Sequence, residues 1–513
     1  MTEILSSLDF FKLPEREGTL RVPIPNHPSH FVNVHTNLFI ANEFVPASDG
    51  KTFETFNPCT GTPICRVAEA GPEDIEKAVK AAEKAFPVWS GLPHHERGRL
   101  LNKLADLVER DIDHLASIET LDNGKSVTIA KAFDVTEVVK CFRYYAGWCD
   151  KGPGGGQVID VGRDLFCYTR KEPIGVCGAI IPWNFPLLML AWKVAPALAC
   201  GNTMVLKVAE QTPLSALALA ALVREAGFPP GTLNIVPGFG PTAGAALASH
   251  PRIGKIAFTG STATGRAIMK MAAANVTKIT LELGGKSPNI VFADADLEQA
   301  VRWCAFGIFF NHGQCCCAGS RIYVQEDIYD QFVEKFIEHA RTLKVGDPFE
   351  ADTFQGPQVS QLQYDRVMSY IESGKEDGAC VRLGGGRHGK EGYFVQPTVF
   401  TDCRENMRIM QEEIFGPVVA IQKFADIDEV IHKANSSLYG LAAAVFTRDM
   451  QRAFRISHAL QAGTVWVNCY NELDYSTPFG GFKHSGIGRE NGEEVLSNYL
   501  ETKTVKINLG LKK

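Results

Sequence analysis

The sequence predicts an α/β protein built on doubly wound parallel sheets. Short apolar runs alternate with helical segments through the middle of the chain, as strand–helix–strand units do. These runs are apolar throughout, which is typical of strands in a parallel sheet that helices cover on both faces. At 513 residues the chain is too long for one ordinary core, so we expect two or three domains.

Strands and helices can be predicted in order along the chain. The first forty residues are rich in proline and are predicted to be irregular. Apolar periodicity of the helical type then runs from 72 to 123, and again from 134 to 148, where a glycine-rich breaker follows. Strands are predicted at 38–40, 53–56, 176–181, 203–207, 233–236, 255–259 and 500–509, and further helices at 214–226, 266–274, 297–310 and 328–343.

Composition excludes several classes of protein. Hydrophobic residues make up 45% of the chain, and the net charge of −6 offers no basic surface for a nucleic acid. The longest apolar stretch, 187–200, is interrupted by Lys193 and Pro196 and is too short to span a bilayer. Residues 1–16 lack the pattern of a secretory or mitochondrial leader, and fourteen cysteines without CxxC pairs indicate reduced thiols. We therefore expect a cytoplasmic protein without membrane or nucleic-acid partners.

Three consecutive cysteines, Cys315, Cys316 and Cys317, are the first candidate for chemistry. Adjacent thiols make a poor metal site, because a tetrahedral ion needs ligands that converge, and neighbours rarely form a disulfide. No metal site is therefore predicted. If the segment is extended, Cys316 points away from the other two and is a candidate nucleophile. The alternative is that all three are small core residues.

A glycine-flanked turn at 257–266 follows one predicted strand and precedes a helix. Gly260 and Gly265 would let the backbone approach a ligand, and the free N–H groups at the start of the helix would bind a pyrophosphate. The pattern departs from GxGxxG, so an ordinary turn is the alternative. Its position between a strand and a helix favours dinucleotide binding.

Lys207 and Glu210 follow a predicted strand, where a carboxylate can accept hydrogen bonds from ribose hydroxyls. Glu210 would repel a 2′-phosphate, which favours NAD over NADP. The usual ribose-binding acid follows its glycine loop, whereas Glu210 precedes the loop. A solvated glutamate is an equally good interpretation of this residue taken alone.

Asn184 and Glu282 are two further candidates. Asn184 lies in the rigid segment Pro-Trp-Asn-Phe-Pro, directly after an apolar strand, where its amide is a pre-organised donor for an oxyanion. A simple turn asparagine is the alternative. Glu282 lies in an apolar run before two glycines. Burial would raise the pKa of this carboxyl and suit it to general-base catalysis.

The motifs occur together and in a particular order: the Pro-Trp-Asn-Phe-Pro segment, the glycine loop, Glu282, the cysteine triplet and Glu413-Ile-Phe-Gly-Pro. With this order the chain resembles the NAD(P)-dependent aldehyde dehydrogenase superfamily, and within it the class that holds the cytosolic and mitochondrial enzymes. The resemblance runs from about 37 to 508 and includes the spacings between Glu282, Cys316 and Glu413. Residues 262–264 and 354–359 resemble fungal members.

The resemblance implies a role for each matched residue. Cys316 would be the nucleophile, Glu282 the base and Asn184 the oxyanion donor. NAD would be bound by Ile181, Trp183, Lys207, Glu210, Gly240, Phe258, Gly260, Ser261, Gly265, Glu413 and Phe415. The aldehyde would lie in a tunnel formed by Glu137, Phe185, Leu188, Trp192, Phe310, Cys315, Cys317 and Phe479. The reaction would pass through a thiohemiacetal and a thioester on cysteine and release a carboxylic acid.

The resemblance also implies a fold and an assembly. Residues 22–150 and 173–284 would form a Rossmann-like NAD domain, and residues 285–484 an α/β catalytic domain. Residues 151–172 and 485–513 would form a small β projection for oligomerisation. Pairing of its strand edges with a neighbouring subunit would give a dimer, and two dimers a homotetramer.

Several alternatives remain open on sequence alone. Glu137 and the acidic loop 471–474 lie at the expected tunnel mouth. They are either solvated rim charges or attract a cationic substrate such as an aminoaldehyde or betaine aldehyde. A fungal origin would favour acetaldehyde or indole-3-acetaldehyde. Coenzyme A-acylating enzymes, a non-catalytic protein of the crystallin type, and a thiol redox sensor using Cys315 and Cys317 are further alternatives.

Overall fold

A computed structural model describes residues 18–151 and 155–511. The start of the chain, where no leader was predicted, and part of the glycine-rich breaker lie outside these residues. The strands, in chain order, are β1 Leu20–Ile24, β2 His27–Val34, β3 Leu38–Ile40, β4 Glu43–Val45, β5 Thr52–Asn57, β6 Thr62–Ala68, β7 Val158–Ile159, β8 Leu165–Pro173, β9 Val176–Ile180, β10 Thr203–Val208, β11 Leu233–Pro237, β12 Lys255–Thr259, β13 Lys278–Glu282, β14 Pro288–Val291, β15 Arg321–Gln325, β16 Cys380–Leu383, β17 Thr398–Thr401, β18 Val418–Phe424, β19 Tyr439–Gly440, β20 Ala442–Phe446, β21 Thr464–Val467, β22 Phe482–Lys483, β23 Gly486–Ile487 and β24 Leu500–Asn508.

Helices cover the sheets and fill the connections. They are α1 Pro72–Gly91, α2 His94–Arg110, α3 Ile112–Asn123, α4 Val127–Ile129, α5 Thr136–Ala146, α6 Pro186–Ala199, α7 Leu214–Ala226, α8 Ala245–Ala248, α9 Thr262–Ala273, α10 Leu297–Phe309, α11 Tyr329–Arg341, α12 Gln361–Glu376, α13 Arg408–Gln411, α14 Ile427–Asn435 and α15 Met450–Ala459. Two π-helical turns, Ala130–Val135 and Gly240–Gly244, adjoin α5 and α8. Within the described residues, no helix is both long and apolar enough to cross a membrane.

The first large sheet has the order β23-β13-β12-β9-β10-β11-β3-β4. Strands β9 to β13 run parallel, and the outer strands β3 and β23 pair antiparallel with them. In this order β10 lies on one side of β9, and β12 lies on the other side. Strand order therefore reverses at β9, and ligands of doubly wound sheets bind at the carboxyl ends of strands beside such a reversal.

The second large sheet has the order β16-β17-β18-β15-β14-β20-β21, with every neighbouring pair parallel except β16 and β17. The predicted α/β class is therefore confirmed. A separate three-stranded antiparallel sheet joins β24, β8 and β7. The short strand β23, which the predicted division assigns to the β projection, extends the edge of the first sheet instead.

Most predicted elements are confirmed, and two local predictions are wrong. Within the described residues, the start of the chain is not irregular, because β1 and β2 form an antiparallel pair. Alternate residues of β1, Val22 and Ile24, are buried, and the proline between them, Pro23, obscures this period-two pattern. The cysteine triplet is also not extended. The Ala318 N–H donates to the Cys315 carbonyl over 3.0 Å, so the triplet lies in a tight turn.

Candidate active site

The reversal of strand order brings two motifs side by side. Ile180 at the end of β9 is in register with Phe258 near the end of β12. The segment after β9 carries Asn184, and the segment after β12 carries Gly260, so both emerge from the same edge of the sheet. Parallel strands with matched registers place these residues together although they are far apart in sequence.

Asn184 is buried, and it contacts the segment that precedes β15 of the second large sheet. Its side-chain Nδ2 donates to the Gln314 carbonyl over 2.9 Å, two residues before Cys316. A primary amide has two N–H groups, so this hydrogen bond leaves one for another acceptor. Asn184 and Cys316 line the same cavity, and the amide can therefore serve an oxygen atom there.

The three thiols lie close together in this turn but differ in exposure. Cys315 and Cys317 are buried, and their sulfur atoms lie 3.5 Å apart. Cys316 is only half-buried and borders the cavity. The neighbouring Cys315 thiol, together with burial, raises the pKa of Cys316 above its usual value. Cys316 is thus the accessible sulfur of the three, and it requires a base to become a thiolate.

Glu282 is the buried carboxyl that borders the cavity beside Cys316. It ends β13, is buried, and its Oε1 accepts no hydrogen bond from the described residues. Burial, and then the nearby Cys316, raise the pKa of Glu282 well above its usual range. A buried carboxyl with a free oxygen and a raised pKa suits proton transfer at neutral pH.

A buried ion pair adjoins Glu282. Lys193 on α6 donates to Glu490 over 3.0 Å and to the Thr259 hydroxyl over 2.6 Å. Thr259 is in register with Glu282 on the neighbouring strand. Lys193 lowers the pKa of Glu282 and Glu490 raises it. Burial of the carboxyl has a larger effect on this pKa than either neighbour. No sequence pattern indicated this pair, because its members are almost 300 residues apart.

Two adjacent glycines, Gly284 and Gly285, pack against Glu413 and against the loop that carries Cys316. A Cβ atom on Gly284 would lie 2.1 Å from Glu413 Oε2, and one on Gly285 would lie 2.5 Å from the Cys316 carbonyl oxygen. The Gly285 N–H also donates to Glu413 Oε1 over 3.1 Å. Burial raises the pKa of Glu413 to about 7. Only glycine fits at these two positions, which explains the pair after Glu282.

An aromatic pair lies in the part of the cavity that Glu413 lines. The rings of Trp183 and Phe415 meet edge to face, with centroids 5.2 Å apart. Phe415 has a left-handed backbone (φ 61°), which directs it towards this contact, and its carbonyl accepts from Gln363 over 2.8 Å. Together with Glu413, these side chains line one part of the cavity that Cys316 also borders.

The other predicted cofactor residues extend along the sheet edge. Lys207 at the end of β10 donates to Glu210 over 3.1 Å, and burial lowers the pKa of this lysine. Ser261 caps α9 by accepting from the Thr264 N–H over 3.2 Å. Ile181 and Phe258 are buried beneath the edge, and Gly240 begins the π-helical turn after β11. A Cβ atom on Gly265 would lie 2.7 Å from Leu283, so this glycine permits close packing of α9 on β13.

Aromatic side chains surround the entrance to Cys316. Phe310 contacts Phe133 and Phe306, with centroids 5.4 and 4.9 Å apart, and Trp192 contacts Phe479 at 5.5 Å. The cavity wall between them is apolar. The cavity is lined by Phe133, Pro182, Trp183, Asn184, Phe185, Leu188, Met189, Trp192, Thr259, Gly260, Ser261, Glu282, Leu283, Gly284, Phe306, Phe310, Cys315, Cys316, Cys317, Gln363, Arg366, Glu413, Phe415, Asn471, Leu473 and Phe479.

Glu137 lies outside this lining. It is on α5, and Lys140 one turn later donates to it over 2.7 Å. The hydrogen bond that Lys140 donates to Glu137 raises the pKa of Lys140, and Asp474 adds to this effect. Glu472 and Asp474 are exposed to solvent. Charges of both signs therefore meet at this rim.

The cavity contains all three predicted catalytic residues and all predicted tunnel residues except Glu137. Ile181, Lys207, Glu210, Gly240, Phe258 and Gly265 do not line it. The sequence interpretation missed several lining residues, notably Phe133, Phe306, Gln363 and Arg366. Phe133 belongs to a π-helical turn, a feature often found at functional sites that no sequence pattern had indicated. In the described part of the chain, no cluster of potential ligands could hold a metal ion.

Comparisons with known proteins agree over nearly the whole chain. A family model described as the aldehyde dehydrogenase family matches residues 44–505. An aldehyde dehydrogenase of Davidiella tassiana is 59% identical over 93% of this chain and 96% of its own length. The human protein named aldehyde dehydrogenase, mitochondrial, is 56% identical over 97% of this chain and 96% of its own. A solved NAD+ complex of aldehyde dehydrogenase from Bacillus cereus is similar with a TM-score of 0.91 and 51% identity, over 93% of this chain and 97% of that one.

Proposed function

The chain belongs to the aldehyde dehydrogenase family and oxidises aldehydes to carboxylic acids with NAD, and we propose that it does so through a covalent adduct on Cys316. One observation supports this above all others. An accessible thiol, a buried carboxyl with a free oxygen, and an amide with a free N–H border one apolar cavity. These are the nucleophile, base and oxyanion donor of acyl chemistry.

The first half of the reaction forms a bond between Cys316 and the aldehyde. The Cys316 thiolate attacks the carbonyl carbon, whose oxygen becomes an oxyanion. Asn184 donates its free N–H to this oxygen, together with the backbone N–H of Cys316. One such donor is worth roughly 3–4 kcal/mol of barrier. Loss of a hydride from the carbon leaves a thioester on the sulfur.

The second half of the reaction hydrolyses the thioester. Glu282 takes a proton from water, the oxygen attacks the acyl carbon, and the carbon–sulfur bond breaks with its electrons on Cys316. General-base catalysis of this kind contributes about 10²–10⁴-fold. The presence of this buried carboxyl favours water over coenzyme A as the acceptor, and the product is a free acid.

The residues beyond the nucleophile fit NAD. Lys207 and Glu210 would hold the adenosine ribose, the N-terminus of α9 with Gly260 and Ser261 would bind the pyrophosphate, and Glu413 would bind the second ribose. Gly284 supports this assignment, because a side chain there would displace the Glu413 carboxylate. When bound, NAD accepts the hydride that leaves the substrate.

The cavity fits neutral, apolar aldehydes. Its aromatic walls contain no charged group between the rim and Cys316 other than the catalytic Glu282 and the cofactor-side Glu413 and Arg366. Glu137 is paired with Lys140. The positive charge of Lys140 partly offsets the negative charge of Glu137 and weakens its attraction for a cationic substrate. Aliphatic or aromatic aldehydes, including acetaldehyde and indole-3-acetaldehyde, are therefore preferred to betaine aldehyde or aminoaldehydes.

We extend the proposal to domains, assembly and location. Residues 22–150 and 173–284 would bind NAD and residues 285–484 would carry catalysis. Residues 151–172 and 485–513 would form the β projection, whose sheet β24-β8-β7 exposes Val158, Phe166 and Ile507. Its apolar surface supports a homotetramer built from two dimers. All fourteen cysteines are free, which supports the cytoplasm.

An aldehyde panel tests the proposed function. NADH and acid formation are measured with hexanal, benzaldehyde, indole-3-acetaldehyde and betaine aldehyde, each with NAD and NADP. Equal amounts of NADH and free acid from the neutral aldehydes are expected. Formation of acyl-CoA, preference for betaine aldehyde, or no activity with any substrate would each contradict the corresponding part.

A further inference from the structure

The end of α3 and the loop after it hold the segment that carries the oxyanion donor. Asn123 Nδ2 donates to the Trp183 carbonyl over 2.6 Å. Lys125 Nζ donates to the Asn184 carbonyl over 3.0 Å. The backbone on both sides of this peptide is therefore fixed by side chains about 60 residues earlier in the sequence.

Glu119 fixes the same segment from its other end. Its Oε2 accepts from the Leu187 N–H over 3.2 Å, at the start of α6. The first N–H groups of a helix have no partner within the helix, and a negative charge stabilises them. Its Oε1 accepts from Lys125 over 3.4 Å, so the helix start and the Asn184 carbonyl share one ion pair.

Lys125 is completely buried among groups that the catalytic steps do not use. It also pairs with Asp134, which belongs to the π-helical turn Ala130–Val135. Its ammonium lies 4.4 Å from the ring centre of Phe185, which lines the cavity. Burying such charges costs stability unless they are well paired, and well-packed apolar residues often replace them without loss.

The remaining contacts leave Asn184 little freedom. Asn311 Nδ2 donates to the Asn184 carbonyl over 3.0 Å and to the Gln314 carbonyl over 3.1 Å. The Asn184 side chain donates to the same Gln314 carbonyl. With its backbone carbonyl held by Lys125 and one amide hydrogen by Gln314, the direction of its free N–H is determined.

We propose that Lys125 is a positioning residue for aldehyde oxidation, which fixes the Asn184 backbone so that the free amide N–H meets the developing oxyanion. The inference rests on the proposed role of Asn184 and goes one step beyond it. An oxyanion donor acts only when it is already aimed at the position where charge appears. Small displacements of such a group lower the rate while leaving substrate and cofactor binding nearly intact.

A double-mutant cycle tests this inference. Lys125→Met is combined with Asp134→Asn, so that the removed cation does not leave Asp134 as an uncompensated charge. This pair is expected to lower kcat by about 10- to 100-fold, with the KM for NAD within about threefold. Asn184→Ala is expected to lower kcat by about 10²–10³-fold. Adding the pair to Asn184→Ala should lower kcat by less than about a further threefold, because residues that act as a unit are not additive.

Two outcomes would overturn the inference: an unchanged kcat in the Lys125 variant, or an equal loss in both backgrounds. If Asn184→Ala itself keeps full kcat, the proposed role of Asn184 fails instead. Lys255→Met is the matched control. This lysine is also buried and donates to Thr280 over 2.7 Å, and kcat should stay within about threefold.

A second variant guards against failure to fold. Asp134→Asn alone keeps Lys125 and weakens its pairing, so a folded protein with about 3- to 10-fold lower kcat is expected. This loss should vanish in the Asn184→Ala background. Persistence of the loss there would contradict positioning through Asn184, as would an Asp134→Asn enzyme with unchanged kcat. Thermal unfolding of every variant identifies those that have lost the fold.

Discussion

Asn184 donates a hydrogen bond to the carbonyl oxygen of Gln314 over 2.9 Å. The bond joins the segment after β9, which leaves the first large sheet, to the loop before β15, which enters the second. The position of the amide relative to Cys316 is therefore set by a direct contact between the two halves of the site.

Replacement of the nucleophile should remove aldehyde oxidation and spare cofactor binding. Cys316→Ala is expected to lower kcat by at least about 10³-fold, because the other two thiols are buried and Cys316 is the most exposed of the three. NADH formation measures the loss of oxidation, and titration with NAD in a calorimeter measures the retained cofactor binding. Cys380→Ala, at an exposed cysteine, is the control and should remain fully active. Substantial turnover by Cys316→Ala would exclude it as the nucleophile.

Glu282→Gln should separate the two halves of the reaction. Glutamine cannot take the proton from water, so a first turnover of NADH should be followed by a steady state about 10²–10⁴-fold slower. Rapid mixing measures the burst, and mass spectrometry of the quenched enzyme should find an acyl group on Cys316. A variant with neither a burst nor an acyl group would place Glu282 in the first half only. Wild-type turnover would remove it from the mechanism.

The same substitution should stabilise the fold as pH rises. Because burial raises the folded-state pKa of Glu282 above 4.5, the folded protein retains a proton that the unfolded chain loses. The stability of the wild type therefore falls as pH rises from the unfolded towards the folded pKa. Glutamine does not ionise, so Glu282→Gln does not lose stability in this way. Its melting temperature should therefore exceed that of the wild type at neutral and alkaline pH. Equal melting temperatures across that range would contradict the raised pKa.

Glu413 should make NAD binding depend on pH. Its pKa of about 7 means that it loses its charge, and with it an acceptor for ribose hydroxyls, as pH falls through neutrality. The KM for NAD is expected to rise about tenfold between about pH 8 and pH 6, since hydrogen bonds to charged groups are worth roughly 1.5–3 kcal/mol. Glu413→Gln should have a high KM at both pH values. A KM for NAD that varies equally in this variant would assign the dependence to another group.

Glu210 should set the choice between NAD and NADP. Its carboxylate is paired with the buried Lys207, and removing its charge would leave the lysine for a 2′-phosphate. Glu210→Gln is expected to raise kcat/KM for NADP by about tenfold relative to NAD. Glu334→Gln on the exposed face of α11 makes the same change of charge and should leave the ratio unaltered. A shift in both variants would indicate a general effect of net charge.

The ion pair at the cavity rim should control access of cations. Lys140→Met leaves Glu137 without its partner, so kcat/KM for betaine aldehyde relative to hexanal is expected to rise about three- to tenfold. Adding Glu137→Gln to this variant should return the ratio to its original value. An unchanged ratio in Lys140→Met would mean that Glu137 plays no part in selecting the substrate.

Local sequence predicted the repeated elements of this fold well. The apolar runs of β9 to β13 and the periodic helices α7 and α10 need only burial of one face or both, and the residues alone carry that information. The hairpin of β1 and β2 was missed because prolines interrupt its alternation. The turn at Cys315 was missed because it depends on packing around the triplet.

The sequence by itself determined the α/β class, the identity of the catalytic candidates and their order, because residue type and strand position need no distant contact. Only the tertiary structure decided which groups meet. Lys193 and Glu490, Lys125 and Asn184, and Glu413 and Gly284 are joined by contacts between segments 59 to 297 residues apart. Such pairs satisfy buried charges and hydrogen-bonding groups across the core, and the positions of these groups are set only when the two sheets are assembled.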